Sequence, residues 1–188
     1  RFSRLRLRVP QLRAGYPAAA FENKSRGSAL CTYLAGCFAR EAQRSREKRG
    51  SGKSGLIEID APGQQILERT CVRVAPEYVE ARFVVGLPAA GRRVLGHQAA
   101  AMLCEDVPAI VRAALFYENN DAAAIERYTR TSEDADFLRA RLEARGLVAF
   151  VARDSILPRR SGIDDRPLQD AIPFRAPASL EVEFELPH

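Results

Sequence analysis

Strict alternation at the two ends of the chain constrains the fold more than any other feature. Residues 4–9 set Leu5, Leu7 and Val9 against Arg4, Arg6 and Arg8, and residues 180–186 set Leu180, Val182, Phe184 and Leu186 against Glu181, Glu183 and Glu185. Successive side chains of a strand point to opposite faces, so each segment predicts a half-buried strand with one charged face. Between them the apolar period becomes helical. Strands grouped on either side of a helical middle predict an α+β fold, with a mixed or antiparallel sheet and a helical sub-region over residues 93–146. The charged rows admit two readings. If the two strands are neighbours, arginine faces glutamate at about 0.2–1 kcal/mol per pair; if they are not, the arginine row is free to follow a phosphate backbone.

The remaining elements follow from punctuation and period. A helix is expected from Ser25 or Ser28, with Leu30, Leu34, Cys37 and Phe38 on its apolar stripe, a solvated end over residues 40–48, and Gly50 as its stop. Residues 56–60 predict a short strand, and residues 70–74 and 78–85 a hairpin turning at Ala75-Pro76-Glu77, with Val79, Ala81, Phe83 and Val85 on one face. Residues 93–104 predict a helix. Asp106 is expected near the cap of another, with Pro108 in its first turn, and Asp121 at the cap of the next. Ser132 is expected to open a further helix that ends at Gly146. Residues 147–152 then predict a buried strand, and the proline-rich residues 153–178 a long ordered loop.

Net charge is +5, but residues 1–60 carry 13 basic and 5 acidic groups, against 6 and 6 in residues 61–120 and 10 and 13 in residues 121–188. Only Lys24, Lys48 and Lys53 are lysines, so the basic front third is nearly all guanidinium, suited to bidentate phosphate or carboxylate contact. No apolar run approaches the roughly 18–20 residues that span a bilayer, and the start has no signal-peptide core. Cys31, Cys37, Cys71 and Cys104 have no metal-ligand spacing and the histidines are His97 and His188, so no metal site is expected. Reduced cysteines, those at 31, 37 and 104 buried in apolar helical stretches, fit a cytoplasmic location. The only methionine is Met102 and the first residues already read as a strand, which suggests a piece of a longer protein.

The string Gly50-Ser51-Gly52-Lys53-Ser54 resembles the end of a phosphate-binding loop, but the position five residues before Gly52 is Glu47 where that loop needs glycine. A helix is expected before it and a strand after it, the reverse of the order that puts a helix N-terminus on phosphate. A basic glycine-rich loop touching phosphates through Lys53 and Ser54 and a plain solvated connection both stay open. Two arginine pairs in glycine-containing turns, Arg92-Arg93 and Arg159-Arg160, suit anions. With Arg49 they complete a candidate nucleic-acid surface. Asp164 and Asp165 have no histidine or further carboxylate at metal-ligand spacing, so capping or pairing with Arg160 or Arg166 is the expected role.

The strings Arg49-Gly-Ser-Gly-Lys-Ser-Gly-Leu-Ile57, Ile59-Asp-Ala-Pro-Gly-Gln64, Val79-Glu-Ala-Arg-Phe-Val-Val-Gly-Leu-Pro88, Gly146-Leu-Val-Ala-Phe-Val151 and Ile156-Leu-Pro-Arg-Arg-Ser-Gly-Ile-Asp-Asp-Arg-Pro167 together resemble the amino-terminal region of the bacterial "predicted ATPase of the ABC class" family. The resemblance covers nearly the whole chain. It implies that residues 1–188 form an accessory amino-terminal domain of a protein that binds and hydrolyses ATP with Mg, the Walker A loop coming shortly after the strand at residues 179–186. This piece alone is then expected to bind no cofactor and to have no catalytic residue. The resemblance also implies a place near the nucleotide for Asp164, Asp165 and Arg166. The expected partners are the remainder of the ATPase chain, a second copy in a homodimer, and RNA or DNA, with no membrane.

Overall fold

The computed structural model describes residues 2–45, 52–91 and 93–188. The fold is α+β, and it divides into two compact units: residues 1–62 with 66–129, and residues 63–65 with 130–188.

The first unit is built on one antiparallel sheet. Strand β1 (Ser3–Pro10) runs into the single helical turn α1 (Gln11–Ala14), and the long helix α2 (Lys24–Arg44) follows. Strands β2 (Ile57–Glu58), β3 (Val72–Val74) and β4 (Tyr78–Val85) complete the sheet. β4 lies at its centre. β1 pairs along one side in the register Arg4↔Val84, Arg6↔Arg82, Arg8↔Glu80, while β2 and β3 share the other side, β2 opposite Val84 and Val85 and β3 opposite residues 79–81. Alternation along β4 sends Val79, Ala81, Phe83 and Val85 inward, all buried, together with Val9 and Val72. Leu30, Leu34, Cys37 and Phe38 recur on one face of α2 and cover this apolar side, the Phe38 and Phe83 rings lying 4.9 Å apart.

α2 starts one residue ahead of the expected serines. Asn23 has extended backbone and its side-chain oxygen accepts a 3.0 Å hydrogen bond from the Arg26 N–H, satisfying a donor the helix leaves unpaired. The expected stop at Gly50 lies outside the described residues.

Residues 93–104 do not form one helix. Arg93–Val94 is strand β6, paired with β5 (Ala89–Ala90). α3 (Gly96–Ala101) then passes through a wide π-turn at Met102–Asp106 into α4 (Val107–Leu115) without a break. Asp106 does not cap a new helix: its backbone is itself helical (φ −67°, ψ −49°) and its side chain makes no capping bond. Pro108 has no N–H to give to an ordinary turn, and the widened turn just before it lets the helix continue. α5 (Ala122–Arg139) is likewise uninterrupted, so Ser132 opens nothing. Asp121 does serve its start, accepting from the Ala124 N–H at 3.0 Å.

The unit boundary falls within α5. In the second unit a 3-10 turn at Glu143–Arg145 closes on Gly146, whose φ of +67° is the left-handed conformation that ends helices. Residues 153–178 are not only loop, since β7 (Arg159–Ser161) and β8 (Asp164–Pro167) form an antiparallel hairpin inside them. Conversely, residues 147–152 and 181–186 join no ladder, and Ala178–Leu180 is a 3-10 turn. These two segments meet through side chains instead, with Phe150 and Phe184 edge to face at 5.4 Å and Arg153 2.8 Å from Glu181. The glutamate row therefore does not lie in the sheet beside β1, whose neighbour is β4.

Among the described residues no helix is long and apolar enough to cross a membrane. The four cysteines are free; Cys37 and Cys71 are buried, Cys31 half-buried, and Cys104, expected inside, is exposed on the π-turn. Burial pushes the Cys31 thiol up to about 11, which keeps it protonated and unreactive.

Candidate functional site

Charge collects on the outer face of the sheet. The alternation that buries Val79 and Ala81 turns Glu80 and Arg82 outward, where they meet Arg4, Arg6 and Arg8 of β1 and Arg73 of β3. Glu80 sits at the middle of this array with its side chain wholly covered. Its Oε2 accepts from Arg8 Nε at 2.5 Å and its Oε1 from Arg82 Nε at 2.7 Å, and Arg6 Nε stands 3.9 Å away. Burial alone pushes a carboxyl up, but here the hydrogen bonds from Arg8 and Arg82 outweigh it and hold Glu80 below its ordinary value. One carboxylate thus fixes arginines on two strands. Arg8 is also stacked on Tyr78, 4.2 Å from the ring centroid.

Lys53 and Ser54 lie in the same unit, in a turn at residues 52–55 clamped to the end of β4. Gly55 N–H donates to the Gly86 carbonyl and Gly86 N–H to the Leu56 carbonyl, each at 2.8 Å. A Cβ at Gly86 would collide with the Lys53 carbonyl, so only glycine lets these backbones approach. Ser54 Oγ accepts from Ala89 N–H at 3.2 Å, and Lys53 Nζ lies 4.8 Å from the Phe2 ring centroid. A hollow of about 340 Å³ opens between these turns, lined by Phe2, Gly52, Lys53 and Ser54. Strand β2 follows the turn, and among the described residues no helix starts from it. Arg93, on β6, is exposed, while Arg49 and Arg92 lie outside the described residues.

Arg159, Arg160, Asp164, Asp165 and Arg166 are gathered on the hairpin of the second unit. Arg166 grips Asp164 with Nε to Oδ1 at 2.8 Å and Nη2 to Oδ2 at 2.6 Å, its own N–H adds a third bond at 3.1 Å, and Arg160 stands 3.7 Å off. The Arg166 side chain and backbone together lower the Asp164 carboxyl to about 2. Asp165 points elsewhere. Its carboxylate accepts from the Gln64 N–H at 3.0 Å and its carbonyl from the Gln64 side chain, and it fills the space that a Cβ at Gly63 would need. Arg159 is exposed, and Ile163 stands fully exposed at the hairpin tip.

Among the described residues, no group of three or more His, Cys, Asp or Glu is placed to hold a metal ion. The phosphate cradle of an ATP site is a glycine-rich loop feeding a helix with a lysine and a Ser or Thr for Mg. The turn at Lys53 lacks that order, because strand β2 follows it, so this turn does not fit the phosphates of ATP.

Residues 1–118 match the family described as ATPase of the ABC class, N-terminal. The chain belongs to the ABC-class ATPases. Residues 121–188 of this ABC-class ATPase match a P-loop domain of the same class, so the two matches meet just ahead of α5. No curated protein matches the chain. Glu80, the centre of the charged face, was open to discovery in the string Tyr78-Val-Glu-Ala-Arg-Phe83, whose alternation puts one acid and one arginine opposite the core. What the sequence lacked was the neighbour strand that supplies Arg6 and Arg8.

Proposed function

We propose that residues 1–188 are the accessory front portion of a protein that binds and hydrolyses ATP, with the catalytic phosphate loop supplied by chain not contained in this sequence. One observation carries this reading: an ABC-class N-terminal match and a P-loop match together span the chain, yet no Gly-x-x-x-x-Gly-Lys-Ser/Thr occurs in it. Residues 121–188 are then the leading part of the nucleotide-binding domain. The hairpin bearing Asp164, Asp165 and Arg166 lies beside the nucleotide, and the complete protein works as a cytoplasmic homodimer. ATP turnover by residues 1–188 and by the complete protein, measured side by side with Mg, tests it: turnover is expected only from the complete protein, and hydrolysis by this chain alone refutes it.

A second reading rests on the outer sheet face, where Arg4, Arg6, Arg8, Arg73 and Arg82 outnumber the acids. In it this region is a nucleic-acid module for RNA or DNA, with Lys53, Arg93, Arg159 and Arg160 adding phosphate contacts. Binding of an oligonucleotide then falls steeply between about 50 and 200 mM salt. Absence of binding at low salt removes this reading.

A further inference from the structure

The outer face of the sheet carries a cavity of about 560 Å³ whose lining includes Arg4, Arg6, Arg82, Glu58, Asp60 and Val84. We propose that this cavity holds a ribose phosphate moiety, its phosphate on Arg4, Arg6 and Arg82 and its sugar hydroxyls on Glu58 and Asp60.

The arginines are only partly balanced by the protein, since Arg6, Arg8 and Arg82 share the single carboxylate of Glu80. Arg6 and Arg82 stand directly opposite each other in the β1–β4 ladder, a like-charged pair that destabilises a sheet unless an anion joins it. The nearby carboxylate, Glu80, already serves Arg8 through Oε2 and Arg82 through Oε1, and Arg6 reaches it only at 3.9 Å. Arg4 makes no ion pair among the described residues and is exposed. Arg4 and Arg6 thus line the cavity from β1 and Arg82 lines it from β4, with the planar forked donors that suit phosphate oxygens.

The side that residues 58–60 form has the opposite character. Arg4, Val84 and Glu58 form one row across β1, β4 and β2, which puts Glu58 two strand spacings, roughly 10 Å, from Arg4. Glu58 makes no ion pair among the described residues, and Asp60 is bonded to Arg69 through Oδ2 at 2.6 Å. Ionised carboxylates only accept hydrogen bonds. They repel a polyphosphate laid across the cavity, but they welcome hydroxyl donors. A ligand that satisfies both sides is anionic at one end and carries hydroxyl groups at the other, with a body that rests on Val84 between them. A phosphorylated sugar meets this description, and the volume lies within the few hundred Å³ typical of small-ligand sites.

The ribose phosphate could arrive as a free nucleotide or as a unit of a single strand, and the test separates these. Calorimetric titrations of the 188-residue chain would use ribose 5-phosphate, AMP, inorganic phosphate and a short oligoribonucleotide. This chain contains no phosphate loop, so its failure or success is independent of the ATPase reading. Ribose 5-phosphate and AMP are expected to bind. Arg4→Gln with Arg6→Gln should weaken both about tenfold or more, the loss of a charge-assisted hydrogen bond. That variant keeps Arg8 and Arg82 on Glu80, and a melting temperature no lower than the parent's confirms its fold. Glu58→Gln should weaken ribose 5-phosphate and leave inorganic phosphate unchanged. Equal affinity per nucleotide for AMP and the oligomer assigns the site to free nucleotides, and much tighter binding of the oligomer assigns it to a strand. Absence of ribose 5-phosphate and AMP binding at millimolar concentration, or binding untouched by the arginine changes, overturns the proposal.

Discussion

Replacing Phe38 by alanine tests how the charged face is held. Phe38 is fully buried in α2, and its ring lies 4.9 Å from that of Phe83, on the strand that carries Glu80 and Arg82 on its other side. The change removes a whole aromatic side chain from a fully buried site against the inner face of β4. Such truncations cost about 3–5 kcal/mol, a large part of the roughly 5–15 kcal/mol that holds a domain folded. With a urea slope near 2 kcal/mol/M, the midpoint of unfolding should fall by about 1.5–2.5 M. The contact between the two rings is separable from simple burial. In a cycle of Phe38→Leu, Phe83→Leu and both together, the coupling should be about 0.5–1.5 kcal/mol, the value of an aromatic pair beyond its buried area. Tyrosine fluorescence and far-ultraviolet circular dichroism followed through the same urea series would report it. A midpoint shift smaller than about 0.5 M for Phe38→Ala, corresponding to roughly 1 kcal/mol at that slope, would refute the claim that α2 and β4 share one close-packed core.

Three further outcomes are expected. Glu80→Gln removes the charge that holds Arg8 and Arg82 together, so added salt should raise the melting temperature of the variant more than that of the parent protein; equal salt responses would show that the carboxylate does not neutralise the array. Gly86→Ala drives a methyl group into the Lys53 carbonyl, which is backbone and cannot swing away, and should cost about 1–3 kcal/mol in thermal or urea unfolding. For Asp164, the folded value of about 2 lies below the ordinary 3.8, so its pairing favours the folded state above pH 3.8 and that contribution disappears as pH falls toward 2. Carbon-detected NMR titration should show Asp164 protonating well below the exposed carboxylates, and Arg166→Gln should return it toward the ordinary value; no movement would refute the clamp.

Elements with local causes were legible in the sequence. The arginine strand, the apolar stripe of α2, the turn at residues 75–77, the Asp121 cap and the Gly146 terminus each follow from one residue's conformational preference or from a period, and each is present. Misreadings arose where a distant partner decides. Pro108 and Asp106 carry the marks of a helix start, but the packing of Ile110 and Val111 against α2 and the π-turn keep one helix running through them. Arg93 reads as helical by composition, yet pairing with Ala90 makes it strand. Proline density hid the β7–β8 hairpin because its stabilising contacts, Arg166 on Asp164 and Gln64 on Asp165, depend on rotamer and on a residue about a hundred positions away. The charged face was half visible. The row on β1 could be seen, but the anion that Arg6 and Arg8 meet is Glu80 on the adjacent strand and not the glutamates of residues 181–185.

The fate of those glutamates shows why alternation by itself is an incomplete signal. A period of two states which face of a segment is apolar; it does not supply the neighbour whose carbonyls and N–H groups make a ladder. Residues 181–186 have the pattern and residues 147–152 a continuous apolar run, and the second unit brings their side chains together around a groove of about 820 Å³ lined by Phe150, Val151, Phe174, Leu180 and Val182. Still, Val148 is 100 % exposed and Leu180 70 %. The first unit behaves differently: its equally patterned β1 has β4 beside it, and Val9 is buried. Apolar residues left in water cost the free energy that burial would recover, at about 25 cal/mol for each Å². Within the proposed function these segments belong to the nucleotide-binding domain, whose sheet supplies the missing ladder. Hydrogen exchange distinguishes the two cases directly. Amides of residues 181–186 should exchange fast in the 188-residue chain and slowly in the complete ATPase, whereas those of β1 that pair with β4 should be slow in both; equal, fast exchange of residues 181–186 in the complete protein would show that the segment is not a strand there either.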